Sequence, residues 1–154
     1  MSHVEGFGHA GFTVENLEEA TSSFIDGFGF ELGAQVRLEK QFASAVTGIP
    51  DAEIKVQFVH GPGDLAVELL EYVGPEGRKR ADHRTCDTGS AHIALYVRDL
   101  MAAIAQASSS GWYLRGEIVD ILVGPRAGGR AAYLADSNGI VVEIVQRPTK
   151  VSTE

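Results

Sequence analysis

AHIALYVRDLMAA, residues 91–103, restates an earlier stretch of the same chain, and that repetition decides the fold. The earlier copy is HAGFTVENLEEA, residues 9–20. Set against HIALYVRDLMAA, residues 92–103, it keeps one skeleton: His9 with His92, Val14 with Val97, Asn16 with Asp99, Leu17 with Leu100 and Ala20 with Ala103. A second pair follows downstream. AVELLE at 66–71 matches VVEIVQ at 141–146, which sets Glu68 against Glu143. Each half therefore opens near a His and closes near a Glu.

The segments around these anchors read the same way twice. Residues 7–14 alternate apolar and polar, with His9, Gly11 and Thr13 on one face, which is a strand pattern. Asn16 is placed to cap a helix from Leu17 to about Asp26, with Glu18 and Glu19 in the first turn, where the helix dipole favours acids. Gly27 and Gly29 stop it. Residues 30–40, 53–60 and 65–73 read as three more strands, with 41–52 irregular or a short turn and a Gly-Pro-Gly-Asp turn at 61–64. Residues 74–90, GPEGRKRADHRTCDTGS, form a polar linker. The pattern then recurs: a strand at 92–98, an Asp99 cap, a helix from Leu100 to about Ser109, and one long or two short strands over 112–123. A loop follows at 124–130. A hairpin of 131–135 and 140–146 turns at Asp136-Ser137-Asn138-Gly139, where Asn-Gly is the turn signal. The expectation is an α+β chain of two tandem βαβββ modules, about 7–73 and 91–148 with the linker between, each sheet backed by one helix.

Length and composition agree with this reading. The chain has 154 residues, 44% hydrophobic and 22% charged, which suits a soluble domain with a real core. No apolar run approaches the roughly 20 residues of a membrane span. MSHVEGFGHAGF shows no signal-peptide pattern, and Cys86 is the only cysteine, so a cytoplasmic setting without a disulfide is expected. A net charge of −8 argues against nucleic-acid backbone binding. It leaves room for a local basic pocket.

The chemistry rests on His9, Glu68, His92 and Glu143. Taken singly each has an ordinary explanation: a Glu in an amphipathic strand usually lies on a wet sheet face, and a lone strand His is usually structural or exposed. Jointly they form two repeat-related pairs in apolar strands. Imidazole and carboxylate together suit a divalent ion of borderline or hard character, and such a set leaves positions open, unlike a closed Cys-rich zinc site. Other candidates are weaker. His3, His60 and His83 read as surface residues, Cys86 as inert, and Trp112 and Tyr113 as core. GPRAGGR, 124–130, lacks the P-loop pattern. It reads as a flexible loop or as a lid whose Arg126 or Arg130 contacts an anionic substrate.

GHAGFTVENLEEA at 8–20, VELLEY at 67–72, SAHIALYVRDL at 90–100 and GGRAAYLADSNGIVVEIVQ at 128–146 together resemble the vicinal oxygen chelate superfamily, the glyoxalase/bleomycin resistance/dioxygenase fold. The resemblance covers about residues 7–148 and is nearest to glyoxalase I-like and methylmalonyl-CoA epimerase-like members. It implies sheets curved into a cleft, with metal ligands at His9, Glu68, His92 and Glu143. Glu71 is the rival to Glu68, but it lies on the other face of its strand. The resemblance further implies one divalent ion (Ni, Co, Zn, Mn or Fe(II)) that polarises a substrate carbonyl, and proton abstraction by Glu143 with Glu68 as alternate. The implied reaction is that of an isomerase, lyase or epimerase. The implied substrate is a small molecule such as a glutathione adduct or a coenzyme A thioester, taken by a homodimer with no nucleic-acid or membrane partner. Two other readings stand beside it: an extradiol-type dioxygenase, and a metal-free antibiotic- or small-molecule-binding protein.

Overall fold

A computed structural model describes residues 2–148. The chain divides into two compact units, Met1–Lys79 and Arg80–Glu154.

The first unit runs β1 (Ala10–Thr13), α1 (Leu17–Phe28), β2 (Glu31–Leu38), α2 (Lys40–Thr47), β3 (Glu53–His60) and β4 (Ala66–Gly74). Its sheet order is β1-β4-β3-β2, with β1 parallel to β4 and the other pairs antiparallel. α1 starts where Asn16 Oδ1 accepts the Glu19 backbone N–H at 3.1 Å. It stops at Gly29, whose φ of 71° is left-handed and costs little only for glycine. Gly27 lies inside the helix as one of its buried residues rather than ending it. Leu17, Ala20 and Phe24 face the sheet, and Phe24 meets Phe12, Phe28 and Phe30 with ring centroids 5.4–6.4 Å apart. Val67 and Leu69 of β4 and Val59 of β3 complete that buried layer.

α2 is a correction to the irregular segment expected over 41–52. Its eight residues bury only Ala43, and Glu39 at its N-cap makes no side-chain capping bond, so neither periodicity nor a start signal marks it. It packs on β3, and Ala43 joins Ala52, Ile54 and Val56 in a small core on the sheet face opposite α1. This covers one end of that face. Phe58 and Glu68 lie towards the other end.

The second unit runs β5 (Ile93–Val97), α3 (Leu100–Ser108), β6 (Tyr113–Leu114), β7 (Val119–Asp120), β8 (Arg130–Ala135) and β9 (Val141–Gln146). The order is β5-β9-β8-β6, with β7 also paired to β8. β5 and β9 are parallel, as β1 and β4 are. Residues 112–123 thus hold two short strands. Asp99 Oδ1 caps α3 through the Ala102 N–H at 3.0 Å. Leu100, Trp112, Leu134, Val142 and Ile144 are almost fully buried. Tyr113, expected in the core, is 53% exposed; its strand is only two residues long and sits at the sheet edge. The β8–β9 turn closes on Asp136, whose carboxylate accepts the Asn138 and Ile140 backbone N–H groups at 2.9 and 2.8 Å. The two units share the βαβββ plan, with α2 added in the first and the second strand of the second broken in two. Among the described residues no helix is long and apolar enough to cross a membrane.

Candidate functional site

Strand register sets the site of the first unit. β1 runs parallel to β4 with Gly11 beside Glu68, so His9, two residues earlier, falls on the face that Glu68 occupies. His9 Nε2 stands 3.2 Å from Glu68 Oε2. Across the antiparallel pair Glu68 faces Phe58, and the His9 ring meets the Phe58 ring edge-on at 5.6 Å. Strand β1 begins at Ala10, so His9 stands just ahead of it, where its ring is freer than inside a ladder. The imidazole is 45% exposed and the carboxylate 18%.

The second unit repeats this geometry. Ala94 pairs with Glu143, and His92, just before β5, turns to the same face. His92 Nε2 lies 3.4 Å from Glu143 Oε2, with side-chain exposures of 42% and 18%. Tyr133 takes the place of Phe58: it faces Glu143 across β8–β9 and its ring lies 5.1 Å from that of His92. Here the aromatic carries a hydroxyl, and Tyr133 Oη is 3.5 Å from His92 Nε2. Burial and then the Glu143 charge push the Tyr133 phenol up, which keeps it a protonated donor at neutral pH.

Arg126 also reaches this pair, with Nη1 3.7 Å from Glu143 Oε1 and its guanidinium 5.8 Å from the Tyr96 ring centre. The loop over 124–130 thus brings one of its two arginines to the carboxylate. Arg130 instead sits 3.5 Å from Asp120, and its register with Gln146 puts it on the opposite sheet face. Glu71 is likewise on the helix side, bonded to the Leu17 N–H and to Lys55 Nζ at 2.9 Å each. His3, His60, His83 and Cys86 are exposed.

Each His–Glu pair fits a divalent ion by its donor chemistry and spacing. Donors held at about 2.0–2.2 Å from one ion, at tetrahedral to octahedral angles, stand roughly 3.0–3.4 Å from each other. Within the two pairs the nitrogen and oxygen stand 3.2 and 3.4 Å from each other. Among the described residues no group of three or more His, Cys, Asp or Glu side chains is gathered to hold an ion. The built elements are two pairs.

The aromatic partners were not singled out from the sequence, although a signal exists. Phe58 precedes Glu68 by the same ten residues that separate Tyr133 from Glu143. The repeat, extended backwards from each Glu, locates both.

Two tandem βαβββ units with His and Glu at matching places define a class, and the chain belongs to the Glyoxalase/Bleomycin resistance protein/Dioxygenase superfamily, whose model matches residues 8–133. The resemblance read from the sequence is borne out. A 2-epi-5-epi-valiolone epimerase from Actinomyces sp is 28% identical over 145 residues, covering 91% of this chain and 78% of that protein. A glyoxalase family protein from Bacillus cereus superposes with a TM-score of 0.76 at 22% identity, over 96% of this chain and 97% of the other. The fosfomycin resistance protein FosX from Listeria monocytogenes, solved with Mn(II) and sulfate, gives 0.59 at 16% identity over 96% and 95%. The likeness to these two structures is one of fold.

Proposed function

We propose that the protein is a metal-dependent isomerase or epimerase that removes a proton from carbon next to a substrate carbonyl. The observation that carries this is the pair of repeat-related His–Glu contacts at ligand–ligand spacing. In this reading His9, Glu68, His92 and Glu143 are the side chains that would ligate a divalent ion of the Ni, Co, Zn, Mn or Fe(II) kind. Bound there, the ion would act as a Lewis acid on the carbonyl, a contribution of several kcal/mol. An epimerase among the relatives and Mn(II) in a protein of the same fold support the class of reaction and of metal.

The chain's own residues do the rest. Glu143 takes the proton onto a carboxylate oxygen, and for that the oxygen must come within about 3 Å of the carbon that carries it. Isomerisation returns the proton from Glu143 to a neighbouring atom. Epimerisation needs delivery to the other face of the same carbon; Glu68 is the alternate base. Tyr133 Oη, beside His92, steadies that imidazole or a substrate oxygen. Arg126, released from Glu143, holds an oxygen-rich part of the substrate.

Two measurements test this. Protein purified without chelator should contain a divalent transition metal by mass spectrometry. Metal-loaded protein in deuterated buffer should exchange the proton next to a carbonyl in a panel of carbonyl compounds, followed by NMR, and chelator should abolish the exchange. Oxygen uptake on catechols without any exchange would overturn the reading in favour of a dioxygenase. Tight binding of an aromatic drug with neither activity would overturn it in favour of a binding protein.

A further inference from the structure

Tyr96 carries two guanidinium groups. It lies two residues beyond Ala94, the partner of Glu143, so its ring is on the sheet face of the His92–Glu143 pair. The ring is 52% exposed. Arg147 stands over it at 3.6 Å from the ring centre, and Arg126 at 5.8 Å. Arg126 is shared with Glu143. Arg147 follows Glu143 by four residues, about 13 Å of extended chain at roughly 3.3 Å per residue, so it stands away from that carboxylate.

The β5–β9 ladder ends with Val97 beside Gln146, and the next residue on each side is an arginine, Arg98 and Arg147. Like charges side by side on neighbouring strands repel. Here they are set together in a chain of net charge −8. Arg37, Arg84, Arg126 and Arg130 each have a carboxylate partner; among the described residues Arg98 and Arg147 have none within ion-pair distance. The adjacent acid, Asp99, is engaged as the cap of α3 by the Ala102 N–H.

Both arginines line a cavity of about 400 Å³ with Tyr96, Val97 and Gln146. Gln146 accepts the Leu100 N–H, so the cavity reaches the start of α3, where the helix dipole adds positive potential. Stacking orders the Arg147 guanidinium through its face and leaves the in-plane N–H groups for a ligand. A group held before binding lowers the ordering cost of the contact.

The number of donors selects among anions. One guanidinium fork fills the two oxygens of a carboxylate. Two forks match a phosphoryl group with three terminal oxygens and close to two charges. A phosphodiester, with two free oxygens and one charge, matches less well. We propose that Arg98 and Arg147, with Tyr96 as the platform, form a phosphoryl-binding site separate from the His–Glu pairs. Its ligand is free phosphate or the terminal phosphate of a larger molecule, for which the cavity has room.

The test is an NMR titration of the full chain in chelator, so that no metal ion bridges to the probes. Inorganic phosphate, glycerol 3-phosphate and acetate are added at low salt and about pH 8, where phosphate esters are close to doubly charged. Both phosphates should saturate with a Kd of about 1 mM or tighter and shift amides centred on residues 96–98 and 146–147. Acetate should bind at least about tenfold more weakly, having one fork's worth of oxygens. Arg98→Met and Arg147→Met should each weaken phosphate by about three- to tenfold, a charged hydrogen bond discounted for exposure. Arg147→Lys keeps the charge without the fork and should recover part of the loss. Arg130→Met removes the same charge from the opposite sheet face and should leave the affinity within about twofold. Equal affinity for the two phosphates would support the free ion as ligand; glycerol 3-phosphate tighter by about tenfold would support the end of a larger molecule. Failure to saturate, shifts centred elsewhere, acetate bound as tightly as phosphate, or an equal loss in Arg130→Met would overturn the site. None of these outcomes bears on metal binding or proton abstraction, which are read separately.

Discussion

Glu71 Oε2 accepts the Leu17 backbone N–H at the start of α1 at 2.9 Å. At the matching place in the second unit Gln146 Oε1 accepts the Leu100 N–H at the start of α3 at 3.0 Å. The fourth strand of each unit thus satisfies one of the free N–H groups of the helix behind it. The two differ in charge. The Lys55 hydrogen bond first, then the Leu17 N–H, hold the Glu71 carboxyl below its usual range against the opposing effect of burial. A lowered folded pKa means that this stability is complete above the unfolded value of about 4.3 and is lost as pH falls through the folded value. Glu71→Gln keeps the acceptor, in the form Gln146 already uses, and removes the titration. Urea unfolding at pH 7 and pH 3 should show a smaller loss for this variant than for the parent. Glu71→Ala should lose about 1 kcal/mol at pH 7. An unchanged pH difference in Glu71→Gln would assign the acid sensitivity to other carboxylates.

Metal content separates ligands from neighbours. His9→Ala, His92→Ala and Glu143→Ala should each lose most bound metal by mass spectrometry while circular dichroism is retained, because these side chains lie outside the buried core. Glu71→Ala should keep its metal, since Glu71 serves the helix side. The apo-protein should accept several N/O-seeking ions, with geometry and availability deciding which is found. Full occupancy in all three ligand variants, or a site that takes calcium alone, would remove the proposed set.

Repetition made the larger part of the fold legible. The caps at Asn16 and Asp99, the strand alternation and the His–Glu pairs each occur twice, so a weak local signal in one half is checked by the other. Where the halves differ, legibility failed. α2 has no counterpart in the second unit, buries a single alanine and lacks a side-chain cap, so its residues carry little helical pattern. β6 and β7 have two residues each, too few to show alternation. Arg126 and Arg130 look equivalent in GPRAGGR. Only register, with Arg130 opposite Gln146, shows which of them shares the face of Glu143.

Gly129 is a position where space, not φ, demands glycine. A Cβ there would overlap the Gln146 carbonyl oxygen and come within 3.0 Å of that of Arg126. Both obstacles are backbone, and Gly129 is itself tied to the loop, its N–H to Arg126 O at 3.0 Å and its carbonyl to Ile121 N at 2.8 Å. Gly129→Ala must therefore spread the loop from β9. The expected loss is about 1–3 kcal/mol, as for other overpacked sites. That corresponds to a melting temperature lower by several degrees at roughly 2–4 °C per kcal/mol in a domain this size. A parental melting temperature would show that the loop moves aside freely.

Arg126 and a bound cation compete for one carboxylate. The guanidinium stands 3.7 Å from Glu143 Oε1, and His92 stands at Oε2, so both oxygens of the proposed ligand are engaged. An ion arriving at Glu143 must displace the guanidinium and then sit near its charge. Arg126 is 44% exposed, so solvent screens the repulsion. At a separation of about 6 Å in a water-like dielectric, a divalent ion and a unit charge repel by about 1.4 kcal/mol, roughly a factor of ten in affinity before screening. Arg126→Ala should therefore tighten Zn(II) or Mn(II) binding by about three- to tenfold in titration calorimetry at low salt. The gain should shrink at 0.5 M salt, where the Debye length falls to about 4 Å. Arg126→Lys keeps the charge on a shorter, more mobile head and should fall between the two. Weaker metal binding in Arg126→Ala at low salt would mean that Arg126 orients Glu143 for the ion instead of opposing it.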